Sequence, residues 1–230
     1  MKYFIFTAIV LSTFFSSIQG KLSRVYHPYV IPLERELEYR TLLQDTKTSS
    51  DLKQLQLLGY GQSFNENLFL EFYLISENTD GESAEISAYE VEALIQLTEQ
   101  GEFWADWGLV FELEKVDSLS IWEVSSGVII EKEWGRWSTT ANLFVIYEFG
   151  DDYDEEWHTA AALQLRYRHS QFIEPSLELF SSEYGSSIGP GLGGQLRFGL
   201  QKLNWEVGLQ LALDNDAPDT YWRFLIDFEF

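Results

Sequence analysis

The 230-residue chain has no cysteine, and its single methionine is the initiator. Disulfide staples and thiolate chemistry are thereby excluded, and a soft-metal site would lack its usual sulfur ligands. Basic residues are scarce: 15 Lys and Arg stand against 37 Asp and Glu, a formal charge of −22. Nucleic acid needs a basic surface for its phosphates, so it is not an expected partner. Histidine is limited to His27, His158 and His169. His158 and His169 fall near opposite ends of one predicted strand, roughly 35 Å apart at about 3.3 Å per residue, too far to share an ion. No metal and no cofactor is expected. Aromatic residues, by contrast, make up 16% of the chain, far too many for a disordered acidic tail.

The chain opens on MKYFIFTAIVLSTFFSSIQG. A lysine, an apolar run and small residues in that order read as a signal peptide, residues 1–20, cut after Gly20. A spanning helix needs about 20 apolar residues, and this run is shorter and broken by Thr and Ser. Residues 21–32 then form a periplasmic N-terminal segment. Its stretch RVYHPYVIP, an aromatic run bracketed by two prolines, either docks on a rim, tucks into an interior or stays exposed.

From residue 33 to 230 the apolar pattern repeats every second residue. In ISAYEVEALIQL, Tyr89, Val91, Ala93, Ile95 and Leu97 share one face and Glu90, Glu92 and Leu94 the other. WHTAAALQLRYR and LNWEVGLQLAL alternate the same way. This is the period of strands with one apolar face, and about twelve such segments of membrane-spanning length can be counted. The predicted fold is all-β: a single up-and-down antiparallel transmembrane β-barrel. Spanning strands take about 9–11 residues, whereas soluble strands cluster near 5–6. Connectors at one rim are predicted to be short (SFNEN, EQG, EWGR, HSQ, KLN). Those at the other are predicted to be generally longer and more acidic (QDTKTSSD, ENTDGESAE, GDDYDEE, SEYGSSIGP, DNDAPDT), with a short turn at Lys115–Ser118 as the exception, as in barrels with short periplasmic turns. Aromatic residues gather toward both ends, among them Phe69, Trp104, Trp134 and Trp137 at one and Tyr153, Trp157, Tyr221 and Trp222 at the other. LKQLQLLGYGQ alternates weakly, and Pro175 is expected to interrupt a strand.

The last residues, TYWRFLIDFEF, place Trp222, Phe224, Ile226, Phe228 and Phe230 on one face. This ending resembles the C-terminal strand signature of bacterial outer-membrane β-barrel proteins. The resemblance implies residence in the outer membrane, contact with its lipid, and an assembly signal in those five residues read by the barrel-insertion machinery.

With the apolar face toward lipid, the other face lines the lumen. The lumen-lining candidates are Glu36, Glu38, Arg40, Glu71, Glu90, Glu92, Glu112, Glu148, Arg166, Arg168, Glu178, Arg197, Glu206, Arg223 and Asp227. Carboxylates dominate, and such a lumen concentrates cations and repels anions. The function expected is a narrow channel or transporter for small, preferentially cationic solutes. The alternatives are a non-conducting barrel with a structural or partner-binding role in the envelope, and an outer-membrane hydrolase. No residue is assigned to catalysis. His158 has no recognisable nucleophile beside it, and the abundance of paired carboxylates weakens each pair as an acid–base site. GPGLGG (189–194) matches a dinucleotide fingerprint only formally, because strand and not helix follows it. GDDYDEEW could hold a divalent ion through its carboxylates, but it lacks the spaced glycine and bidentate Glu of a calcium loop, and a solvated acidic loop explains it better.

Overall fold

The computed structural model describes residues 24–45, 52–79, 85–117, 121–151, 153–183 and 185–230. The leader lies outside the described residues. Twelve strands follow one another: β1 (Arg35–Asp45), β2 (Leu52–Ser63), β3 (Leu68–Thr79), β4 (Glu85–Gln96), β5 (Asp106–Val116) and β6 (Ile121–Trp134). They continue as β7 (Trp137–Gly150), β8 (Tyr153–Tyr167), β9 (Glu174–Ser182), β10 (Gly185–Phe198), β11 (Gln201–Ala212) and β12 (Thr220–Glu229). Every neighbour is antiparallel, and β1 pairs with β12 to close the barrel. Closure leaves no unpaired edge, which is what hydrocarbon requires of a sheet. The last residue belongs to this seam: the Phe230 N–H donates to the Arg35 carbonyl at 2.8 Å.

Alternation decides which way each side chain points. Leu143 is 56% exposed on the outside while its neighbour Asn142, on the inside, is 0% exposed. Leu58, Phe72, Val91, Val145, Leu163 and Phe224 also face out. An apolar band around the whole circumference has no stable counterpart in water, and the barrel is therefore a membrane protein. Rings sit together outside near the ends of the strands. Trp137 and Tyr167 pack at 4.8 Å, Tyr147 and Trp157 at 4.6 Å, and Phe228 stacks with Phe230 at 5.9 Å.

Three aromatics expected in these belts turn inward instead. Phe69 and Tyr221 are buried in the lumen, and the Tyr153 hydroxyl donates to Glu148 at 2.9 Å. The inside also carries more apolar residues than alternation suggests. Leu42, Leu55, Leu57, Tyr73, Ile75, Ala88 and Tyr221 form a cluster on the wall of β1–β4 and β12. The weak alternation of LKQLQLLGYGQ follows directly, since Leu55 and Leu57 face in while Leu58 faces out.

The expected difference in connector length between rims is absent. At the rim bearing the chain ends, β4 and β5 are joined by residues 97–105, and at the far rim β7 runs to Gly150 and β8 resumes at Tyr153. The strands there continue through what reads as acidic loop. The predicted connector KLN is strand; the turn lies at Gly199–Leu200, where Gly199 takes φ 71°. Pro175 is the second residue of β9, beyond the last β8 rung at Arg166↔Ser176, so its missing N–H interrupts no ladder there.

Candidate functional site: the lumen

Inside the barrel, residues 24–30 run from the chain-end rim into the interior without joining the sheet. Val25, Tyr26 and Val30 pack with inward residues Phe69, Leu94, Val110, Ile129, Phe144, Ile146 and Phe180. Of the three placements open for this stretch, the structure has the interior one. An extended segment buried without strand pairing must find every polar partner on the wall. Asn142 meets Tyr26 at two points: the Tyr26 N–H donates to Oδ1 at 2.8 Å and Nδ2 donates to the Tyr26 carbonyl at 2.9 Å. The Val30 N–H donates to Gln96 at 2.7 Å, and the Tyr29 hydroxyl to Asp106 at 2.8 Å. His27 Nδ1 lies 2.6 Å from Glu131, and Arg24 donates to Glu38 at 2.8 Å and to the Tyr73 hydroxyl at 3.0 Å. The Tyr26 hydroxyl lies 2.8 Å from Glu92 and 2.9 Å from Glu112.

The predicted lumen residues divide between two walls. On β3–β7 and the first residues of β8 the register sets carboxylates directly opposite one another. Glu71 faces Glu92, which faces Glu112; beside them Glu90 faces Glu114, Glu114 faces Glu123, Glu123 faces Glu148 and Glu148 faces Glu156. Directly opposed side chains sit about 5 Å apart at Cβ, where two unit charges repel by about 3 kcal/mol at an effective dielectric near 20. Glu123 is missing from the sequence-derived set, although its place two residues before Ser125 on an alternating strand marks it as inward.

The other wall, β8–β12 with β1, borders a cleft of about 350 Å³ beside residues 24–27. Glu36, Glu38, Arg166, Glu178, Glu206, Arg223 and Asp227 line it together with Arg24 and His27. Its far end is a buried pair, Arg223 to Glu178 at 2.8 Å, with Glu206 at 3.3 Å and Gln164 donating to Glu178 at 2.9 Å. The glycines of GPGLGG explain the space. Gly191 and Gly193 face inward on β10, opposite Gly208 and Glu206 of β11. A Cβ on Gly191 would sit 2.3 Å from the Ser176 hydroxyl. The motif is strand wall, not loop.

Three candidates lie apart from both groups. Arg40 is buried against Glu38. Arg168 pairs with Glu133 at the chain-end rim. Arg197 sits at the same rim and is exposed, its Nε donating to Gln195 at 2.8 Å. The residues that sequence reading missed, Tyr26, Asn142, Gln96 and Tyr73, hold residues 24–30; an inward polar parity on β7 is the one local signal for Asn142.

His158 faces inward and is surrounded by the carboxylates of Glu148, Glu156 and Glu183. His169 lies exposed beyond the other end of β8. Among the described residues, no group of three His, Asp or Glu side chains converges to hold a metal ion.

No protein-family model and no curated protein matches the chain. Solved structures do. An outer-membrane channel from Pseudomonas putida F1 superposes with a TM-score of 0.60 over 88% of this chain and 97% of its own, at 14% identity. The KdgM porin matches with a TM-score of 0.55 over 85% of this chain and 99% of its own, at 13% identity. The same porin in complex with disordered oligogalacturonate matches at 0.53 and 12% identity. The chain thus has the fold of bacterial outer-membrane β-barrel proteins.

Proposed function

We propose that this protein is exported to the bacterial outer membrane and forms a narrow channel there for small, preferentially cationic solutes. The row Glu90, Glu114, Glu123, Glu148 and Glu156 carries the reading, because facing carboxylates raise the local concentration of cations and exclude anions. The cleft beside residues 24–27 supplies polar space in the same lumen. The likeness to channel and porin structures is consistent with it at the level of fold. Removal of the leader, insertion through the outward residues Trp222, Phe224, Ile226, Phe228 and Phe230, and lipid contact along the apolar band complete the reading.

Purified, refolded protein in a planar bilayer is expected to pass an ion current. Its reversal potential in a salt gradient should favour cations, and Glu114→Gln with Glu123→Gln should lower that preference. A silent bilayer with protein correctly folded would overturn the channel. A second reading, a non-conducting barrel that serves the envelope, is favoured by residues 24–30 filling part of the lumen, and it predicts that silence.

Deleting Phe230 tests the assembly signal. It removes the N–H that closes the seam onto Arg35 and the ring stacked on Phe228. The expected result is loss of the heat-modifiable, folded species from the outer-membrane fraction of cells, while urea-refolded protein still forms in detergent. Normal recovery from cells would reject that role.

A further inference from the structure

The twelve-strand ladder closes without residues 24–30, since β1 and β12 pair directly from Glu36↔Glu229 to Gln44↔Tyr221. Withdrawing the segment therefore breaks no sheet hydrogen bond. What holds it is a set of wall side chains placed at intervals suited to an extended peptide. Asn142 reads the backbone of Tyr26 in both directions, as a partner strand would, and is itself 0% exposed. Glu92 and Glu112 take the Tyr26 hydroxyl, the Phe144 ring meets the Tyr26 ring edge-on at 5.9 Å, and Gln96 takes the Val30 N–H. These partners come from three separate strands, β4, β5 and β7, so the pocket is a property of the folded sheet and not of any one hairpin. The segment leaves it through Ile31–Leu33, all exposed at the rim. There Leu33 is 92% exposed and adopts φ 66°, a left-handed conformation that costs a leucine energy and places the bend outside the packed region.

We propose that residues 24–30 are a tethered blocker, and that the lumen between β4 and β7 is a docking site for an extended peptide with a central tyrosine. The site's natural occupant is the chain's own segment, and its release widens the lumen. The effect on current rests on the channel reading above; the docking does not.

The experiment uses a chain lacking residues 24–30, its folding checked by heat-modifiable mobility. A synthetic acetylated peptide, RVYHPYV, carries a fluorescent label. The peptide should bind the truncated barrel saturably and bind the full chain far less, because there the site is filled. Replacing its first tyrosine by alanine should weaken binding by roughly tenfold or more, since the hydroxyl proton shared between two carboxylates and the ring against Phe144 are lost. In bilayers the truncated barrel should conduct several-fold more than the full chain, and the unlabelled peptide should reverse the gain. Binding with no current in either form supports docking and sinks the channel. Equal currents in both forms, with no peptide bound, overturn the docking and leave the channel standing. If the deletion fails to refold, Asn142→Leu replaces it: docking predicts faster hydrogen exchange at Tyr26 and Val30 with barrel amides unchanged, and unchanged exchange there overturns it.

Discussion

Arg223→Met is expected to destabilise the folded barrel by roughly 3–5 kcal/mol, the cost of leaving a buried charge without its partner. Both members of the pair are almost fully enclosed, with side-chain exposures of 2% for Arg223 and 1% for Glu178. The guanidinium also lies 5.9 Å from the Phe180 ring and 3.3 Å from Glu206. Glu178 keeps Gln164 as a neutral donor, which cannot offset a full charge. The companion change Glu178→Gln removes the orphaned charge, and the double variant should recover most of the loss. Equilibrium urea unfolding in lipid vesicles measures both. A single variant within about 1 kcal/mol of wild type, at the level of an exposed pair, would mean that water reaches this layer freely.

The second large effect belongs to the outer face. Leu143 sits midway along β7, opposite Val128 of β6 and Ala161 of β8. Leu143→Arg should cost about 2–4 kcal/mol, the penalty for a basic residue on the lipid face at the bilayer midplane. Thr139 faces the same way four positions nearer the chain-end rim, and Thr139→Arg should cost only about 0–1 kcal/mol, because near the interface the head group reaches water. The depth dependence is the diagnostic. Two equal penalties would mean that the exposed apolar band does not cross hydrocarbon.

The twelve strands and the two faces of each were legible from a period of two, because lipid and lumen make opposite demands on successive side chains. Leu143 and Asn142 show how sharp that signal is. The register that sets Glu90, Glu114 and Glu123 side by side was not legible, since alternation fixes a face but not which positions of two strands lie opposite. The filling of the lumen was also hidden. Phe69 and Tyr221 read as belt aromatics by their place near strand ends; inside, Phe69 packs in the cluster that includes Val25, Tyr26 and Val30, and Tyr221 packs with inward apolar residues of the wall itself. Tyr26 meets Glu92, Glu112 and Asn142 across separations of 66, 86 and 116 positions, and nothing local links them. At the far rim, Gly150 and Tyr153 belong to a ladder that continues past the greasy band, so acidic composition alone misplaced the boundary.

The seam between β1 and β12 sets the order of assembly. Its two halves are the first and the last strand of the barrel, and no ribosome can supply the second before the ten strands between them have been made. Until Thr220–Glu229 arrives, the growing sheet has two bare borders, each a template for a stranger's strand. A barrel whose circle can be sewn only by its twelfth strand needs escort between synthesis and bilayer, and the peptide stretch destined for the interior must already lie inside the curve, or find its way in by the rim, when the last rung is tied.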